Sequence, residues 1–372
     1  MTAPSNLDSP APTGTRLSDV VAQIADQADD LDARPRFPAA AFTDLIDSGA
    51  TTFGLDPGEP VGPTGFRAQC ALVREVSAAD SSVGRILDGH LNAVERILLH
   101  ADPATAATWW ERAGGGALLG LWGADPVDGE GPAARLFGRG EELTLDGVKV
   151  FCSGAGGLDA ALVLCRRDGE QGPPRLVLVG ARDDVRVDPA WFKGSGMRAS
   201  ESHRVTFVHA PVLAELGGPG VLGEAPWLHR DAIRTAHTWA GSLDALAAAA
   251  LASLAQRPPD PRADLAAGAI GAACDTADLW LAQALRAVDD HDPAAIARAS
   301  IHGRWTIAAA ARTVIAETEA AAGSRPFATT RALDRPRRDL QLFLSQHRLE
   351  PLLSRAGAVE LAGLRADADL PQ

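Results

Sequence analysis

Apolar residues recur at helical spacing from Arg16 to about Ala113, in LSDVVAQIADQADDL, FPAAAFTDLIDSGA and the long run FRAQCALVREVSAADSSVGRILDGHLNAVERILLH. Proline, glycine or aspartate clusters end each stretch, so the pattern predicts a helical domain over 16–115. From Ala117 to Val212 the rhythm shortens to period two or to unbroken aliphatic runs: ALLGLWG, ARLFG, ELTL, VKVF, AALVLC, RLVLVG, DVRV and HRVTFVHA. These predict a small antiparallel, barrel-like β domain over 116–214. Asp146-Gly147, between LTL and VKVF, has the residues of a tight hairpin turn, which needs positive backbone angles. From Asp231 helical spacing returns in three long alanine-rich stretches. The third is framed by Asp292 as a cap, Pro293 just inside the start and Gly323 past the end. Alanine on this scale lets helices approach closely, so a four-helix-bundle type of domain is expected over 215–372, closed by the shorter segment that starts DRPRRDLQLF. Residues 1–15 read as a disordered lead. The fold class is therefore α+β and multi-domain.

Charge and cysteine usage narrow the partners. With 35 basic and 48 acidic residues the formal net charge is −13, which repels a phosphate backbone, so no nucleic acid is expected. Cys70, Cys152, Cys165 and Cys274 show neither CxxC pairing nor a histidine at ligand spacing, so no metal site and no disulfide framework is predicted. A reducing cytoplasm fits that usage. The amino terminus has no basic start and no apolar core, as a signal peptide would. The most apolar window, WAGSLDALAAAALASLA, carries Asp244 and is too weak for a membrane span.

The familiar short motifs are missing. Two glycine patterns, Gly194-Ser-Gly196 and Gly218-Pro-Gly220, imitate a dinucleotide fingerprint but lack the strand before and helix after that would seat a pyrophosphate. Neither GxxxxGKS/T, HExxH nor GxSxG occurs. His90 and His347 lie on segments otherwise apolar on one side, where a lone histidine is usually a core or surface residue. Trp122, Trp191 and Phe151 are equally compatible with ordinary core aromatics. Arg198, Arg335 and Arg338 read first as surface or structural arginines, with anion contacts as the alternative. Asp339 is expected to cap or pair within its own segment.

The order of the three regions resembles the acyl-CoA dehydrogenase superfamily of flavoproteins, and three stretches carry the resemblance. LDGVKVFCSGAGGLDAALV is similar to that family's strand, flavin-contact and strand segment. WFKGSGMRASESHRVTFVHAPV is similar to its glycine-methionine-arginine segment and the strand that leaves the β domain, and DRPRRDLQLF to the arginine-aspartate motif of its closing helices. The resemblance implies flavin contacts at Phe151, Cys152 and Ser153, where backbone and a hydroxyl would lie against the ring. GLWGADP is similar to the family's flavin-contact loop, which implies Trp122, Ala124, Asp125 and the following proline at that site. Alanine at 124 replaces the family's threonine, and VDGEGP lacks its glycine-serine-aspartate. RPPDPRA leaves Arg257 as the remaining pyrophosphate contact. The implied cofactor is FAD, with FMN as the alternative.

Counted from Arg338-Asp339, the family's catalytic glutamate falls on His347, a base that works near neutral pH. Histidine there is also what the superfamily's flavin monooxygenase branch looks like. SAADSSVGRILDGHLN resembles that branch's first-domain helix, so His90 would match its active-site histidine and Ser153 its hydroxyl, whereas HRLEP departs from its histidine-aspartate-proline. The expectation is a flavin-dependent oxidoreductase, with dehydrogenation of an acyl-CoA placed slightly ahead because it is the commoner chemistry of the fold. A monooxygenase using reduced flavin and oxygen is the alternative, and a degenerate scaffold that binds no flavin is the third reading. An electron-transfer flavoprotein or a flavin reductase is the implied partner, and a homodimer or homotetramer the implied assembly.

Overall fold

Asp80 decides where the longest apolar run of the first region divides. Its carboxylate accepts from the N–H groups of Ser82 (2.7 Å) and Val83 (3.0 Å), which starts a new helix immediately after the previous one ends. The computed structural model describes residues 16–59 and 62–368, so the expectation for 1–15 lies outside the described residues. Five helices form the first region: α1 (Leu17–Ala33), α2 (Ala39–Asp47), α3 (Pro63–Ala79), α4 (Ser81–His100) and α5 (Pro103–Gly114). Seven strands follow: β1 (Leu119–Trp122), β2 (Arg135–Phe137), β3 (Thr144–Cys152), β4 (Ala160–Arg167), β5 (Arg175–Gly180), β6 (Val185–Asp188) and β7 (His203–Leu216). The carboxy-terminal helices are α6 (Trp227–Ala255), α7 (Pro261–Asp289), α8 (Pro293–Arg298), α9 (Arg304–Ala322), α10 (Ser324–Thr329), α11 (Arg331–Phe343) and α12 (Glu350–Ala368). Asp292 caps α8 as its spacing predicts, but a π turn over Ala299–Gly303 separates α8 from α9.

Strands β4, β2, β3, β7 and β5 pair in that order, and β5 pairs back onto β4, which closes a barrel-like ring. Two sequence expectations need correction here. The sheet is mixed rather than antiparallel, because β4 runs parallel to both β1 and β2. The turn after β3 carries the chain across to β1 instead of back along β3. Asp146-Gly147 does not form a hairpin either: β3 continues through it as one strand, with a register shift between Leu145 and Gly147. Gly147 uses its positive φ of 116° to make a bulge. A side chain there would run into the backbone of Ala133 and Ala134.

Helix α6 is the axis of the molecule, packed against α3, α4, α7, α9 and α11. It meets α3 closely at Gly241, where a β-carbon would clash with the Arg74 carbonyl oxygen. Gly241→Ala is therefore expected to force the helices apart and lower stability by about 1–3 kcal/mol. Chemical denaturation would read this as a lower midpoint, and an unchanged midpoint would contradict the close packing. By length and composition α6 and α7 could each cross a membrane. Both instead pack within the bundle, and α6 carries the buried charges Asp231 and Arg234.

Candidate active site

Strand β3 ends in a second irregularity. The register on β7 shifts again between Lys149 and Cys152, and Phe151 takes a left-handed φ of 52°, which is uncommon for a bulky residue. The bulge turns Phe151 outward, where it is 58% exposed and meets Trp191 edge-on at 4.9 Å between ring centroids. Ser153 then begins a tight turn, with Gly154 at φ 75°. Trp122 donates from Nε1 to the Ser153 carbonyl (3.1 Å), and Gly154 N–H donates to the Ser200 carbonyl (2.8 Å). The turn is thus clamped between β1 and the segment that enters β7.

Three hydroxyls meet as a result. Ser153 Oγ lies 2.9 Å from Ser202 Oγ, which lies 2.8 Å from Ser200 Oγ. All three line a cavity of about 480 Å³ between the β domain and the carboxy-terminal helices. Its walls are largely apolar, with Leu121, Phe192, Met197, Leu342 and Phe343, and its polar members include Arg85, Gln346 and His347. No carboxylate lines it among the described residues. Asp339 on α11 fixes one wall from behind by accepting from the Met197 N–H at 2.6 Å. The aspartate pairs within its own segment as expected, with Arg335 Nη1 at 3.6 Å, and in addition reaches across 142 residues of chain to Met197.

His347 follows α11 and packs 6.0 Å, ring centroid to ring centroid, from Trp239 of α6. Burial pushes its ring toward the neutral form, and the charges of Arg304 and Arg85 act in the same direction. Solvent reaches the ring through the open side of the cavity, which limits how far burial alone depresses it.

Of the residues singled out in the sequence, Ala124, Phe151, Ser153 and His347 come together around this cavity. The others do not. His90 is fully buried, with Nε2 donating to the Thr51 carbonyl (2.9 Å) and Nδ1 accepting from Leu119 N–H (3.0 Å), so it stitches α4 to β1. Both ring nitrogens are committed to backbone, which corrects the catalytic expectation for it. Trp122 is buried behind Ser153 and packs on Phe207. Cys152 is buried opposite His203, and burial raises its thiol far above the usual range. Asp125 points away and pairs with Lys149 Nζ at 2.6 Å. Arg257 donates to the Ala321 carbonyl of α9 and is absent from the cavity wall.

Sequence reasoning missed Arg85, Ser200 and Ser202, together with what stands behind Arg85. Its Nη1 donates to Asp88 (3.1 Å), and Asp88 also accepts from Arg234 Nε (3.2 Å) and Thr235 Oγ1 (2.9 Å). Arg234 is wholly buried and reaches Glu95 (2.7 Å), Gln69 (2.9 Å) and Asp231 (3.3 Å) as well. Arg96 Nε holds the other oxygen of Asp231 at 3.0 Å. The charges of α4 and α6 look in sequence like solvated faces, and only their meeting shows otherwise.

Two buried histidines give the fold an acid limit. Burial lowers His90 and His237 to about 4 each, while the backbone bonds to Thr51 and Ile233 oppose the shift. A depressed histidine leaves the folded state binding fewer protons than the unfolded one. Stability is thus full above the ordinary value near 6.5 and is lost as pH falls toward the folded value, by an order of 3 kcal/mol for each residue. Urea midpoints should fall steadily between pH 6.5 and 4.5, and His237→Gln should make that decline shallower. An equal decline in the variant would remove His237 from the account.

Comparison with solved structures places the architecture. The complex of TdsC from Paenibacillus sp. A11-2 with FMN and indole aligns over 93% of this chain and 96% of its own, with a TM-score of 0.79 at 20% identity. KijD3 in complex with FMN and a dTDP-linked amino-keto sugar aligns over 96% and 97%, with a TM-score of 0.77 at 23% identity. The steroid acyl-CoA dehydrogenase Tcur3481-Tcur3483 aligns over 94% and 98%, with a TM-score of 0.76 at 16% identity. The chain has the acyl-CoA dehydrogenase fold. No protein-family model matches it, and no curated protein matches it. Within that fold the cavity described above lies between the barrel-like sheet and the carboxy-terminal helices.

Proposed function

We propose that this protein is a flavin-dependent monooxygenase that takes a small organic substrate. The observation that carries this reading is the cavity wall, which has a chain of three serine hydroxyls and a neutral histidine but no carboxylate among the described residues. Acyl-CoA dehydrogenation, placed first from sequence, is most readily served by a carboxylate that takes the proton next to the thioester carbonyl. His347 is the side chain on the cavity wall that could take that proton, so we put the monooxygenase reading first.

The site suits a flavin. Its volume of about 480 Å³, its mostly apolar lining and its few convergent polar groups are those of a small-molecule site. The backbone of Gly123 and Ala124, the Ser153 hydroxyl and the apolar faces of Phe192 and Leu342 would hold the ring. TdsC and KijD3 were both crystallised with FMN. Arg257 is remote and the pyrophosphate segment is altered, so FMN is favoured over FAD. Bound reduced flavin supplies the electrons that activate oxygen. The serine chain presents hydroxyls whose O–H groups can reverse direction along Ser153, Ser202 and Ser200. His347, kept neutral, accepts or returns a proton at a ring nitrogen. A flavin reductase is the corresponding partner. Exposed Leu265 and Leu279 on α7, with Val359 and Leu364 on α12, favour a homo-oligomer built through the carboxy-terminal helices.

The test starts with the visible spectrum of purified protein after flavin is added and the excess removed. Labelled oxygen gas is then supplied with a flavin reductase and a panel of small aromatic and sulfur-containing substrates. Incorporation of the label into product, with no bleaching of the flavin by acyl-CoAs under anaerobic conditions, is the expected result. Anaerobic bleaching would restore the dehydrogenase, and protein that stays colourless would restore the scaffold.

A further inference from the structure

Beside the main cavity lies a second cleft of about 420 Å³. Phe192 lines both spaces, so the two share that side chain as part of their walls. The cleft is walled by Lys193, Ser195, Arg198 and Arg338. Arg338 is committed, since its guanidinium binds Asp32 (2.8 Å) and Asp334 (2.6 Å) and donates to the Ser195 carbonyl. Asp32 is further held by Arg331, and Asp334 by Arg337. Arg34 and Arg36, which flank Pro35 at the rim, are taken up by Asp30. Lys193 and Arg198 have no ion pair and no side-chain hydrogen bond among the described residues. Two uncommitted cations thus converge on one cleft, in a chain whose formal charge is −13.

We propose that this cleft binds a phosphate group of a molecule whose other end occupies the main cavity. Arg198 offers a planar fork that matches two phosphate oxygens, Lys193 a compact charge and Ser195 a hydroxyl. The proposal rests on the reading of the main cavity as the flavin and substrate site. The phosphate has two chemical sources, the flavin side chain or a phosphorylated substrate, and both are recognised by the same cations.

The test is calorimetric titration of the full-length protein with inorganic pyrophosphate, flavin-free and FMN-loaded. Flavin-free protein should bind pyrophosphate, and the paired variant Lys193→Gln/Arg198→Gln should bind it about tenfold more weakly or worse, a loss of ~1.4 kcal/mol or more. Arg286→Gln, which removes a cation outside the cleft, should leave it unchanged. Binding that persists in FMN-loaded protein identifies a substrate phosphate, and binding abolished by FMN identifies the flavin phosphate. No binding to flavin-free protein, or equal affinity in the paired variant, overturns the proposal. Riboflavin, which has no phosphate, reports on the main cavity separately, so failure of the flavin reading and failure of the cleft give different results.

Discussion

His347→Ala is expected to lower turnover by about a hundredfold or more, ~2.7 kcal/mol of transition-state stabilisation, while the protein stays folded and keeps its flavin. The ring stands on the cavity wall with Arg85, Gln346 and the three serines, and no carboxylate is present among the described residues to substitute for it. His347→Gln separates two roles. Glutamine keeps a hydrogen-bonding group but takes up no proton near neutral pH, so a glutamine variant as slow as alanine assigns proton transfer to the ring. A variant that recovers most of the rate assigns hydrogen bonding alone. The pH profile is a further check. Burial and the charges of Arg304 and Arg85 all favour the neutral form, so the active form of His347 should persist below its ordinary value. Activity should therefore hold through pH 6.5 and decline only in more acid solution, where the ring takes a proton. A midpoint at or above 6.5 would contradict that environment, and unchanged turnover in the alanine variant would remove His347 from the reaction.

What the sequence revealed and what it hid follow from the range of the interactions involved. Helices were legible because their apolar spacing is local, and α1, α4 and α6 each occupy a stretch whose periodicity predicts them. The strands were legible as runs, but their pairing was not. Asp146-Gly147 has the chemistry of a hairpin and serves as a bulge, since a positive φ satisfies either and only the neighbours Ala133 and Ala134 decide. His90 and His347 read alike in sequence, each a lone histidine on an apolar segment. They part company through contacts 29 and 39 residues away that occupy both nitrogens of His90. Ser153 could be singled out because it follows a strand and precedes glycines. Ser202 could not, because its place depends on a 2.9 Å contact across 49 residues. The resemblance carried Phe151 and Ser153 to the cavity, yet it also brought Cys152, whose side chain alternation along β3 turns into the core.

Arg234→Met is expected to be the most destabilising of the substitutions considered, at about 3–5 kcal/mol, because it breaks a buried charge network by removing its centre. Burial works against the Arg234 charge, but Glu95, Asp231 and Asp88 outweigh it and hold the guanidinium ionised. Methionine fills similar space and leaves those three carboxylates facing one another with Arg85, Arg96 and Arg230 at the edges. Burial already raises Asp231 to about 6, with Arg96 and Arg234 opposing it. Loss of Arg234 should raise it further. A carboxylate whose folded value lies above its unfolded value destabilises at high pH and is relieved by protonation as pH falls. The deficit of the variant, read from urea midpoints, should thus be largest near pH 8 and narrow toward pH 5.5, the direction opposite to the acid loss caused by the histidines. The network ends at Arg85 on the cavity wall, so a surviving fraction of folded variant should also bind flavin less tightly, since Asp88 then holds Arg85 without the support of Arg234. A deficit under about 1 kcal/mol that does not change with pH would mean that the three carboxylates are solvated, and would leave apolar packing alone to hold α6 against α4.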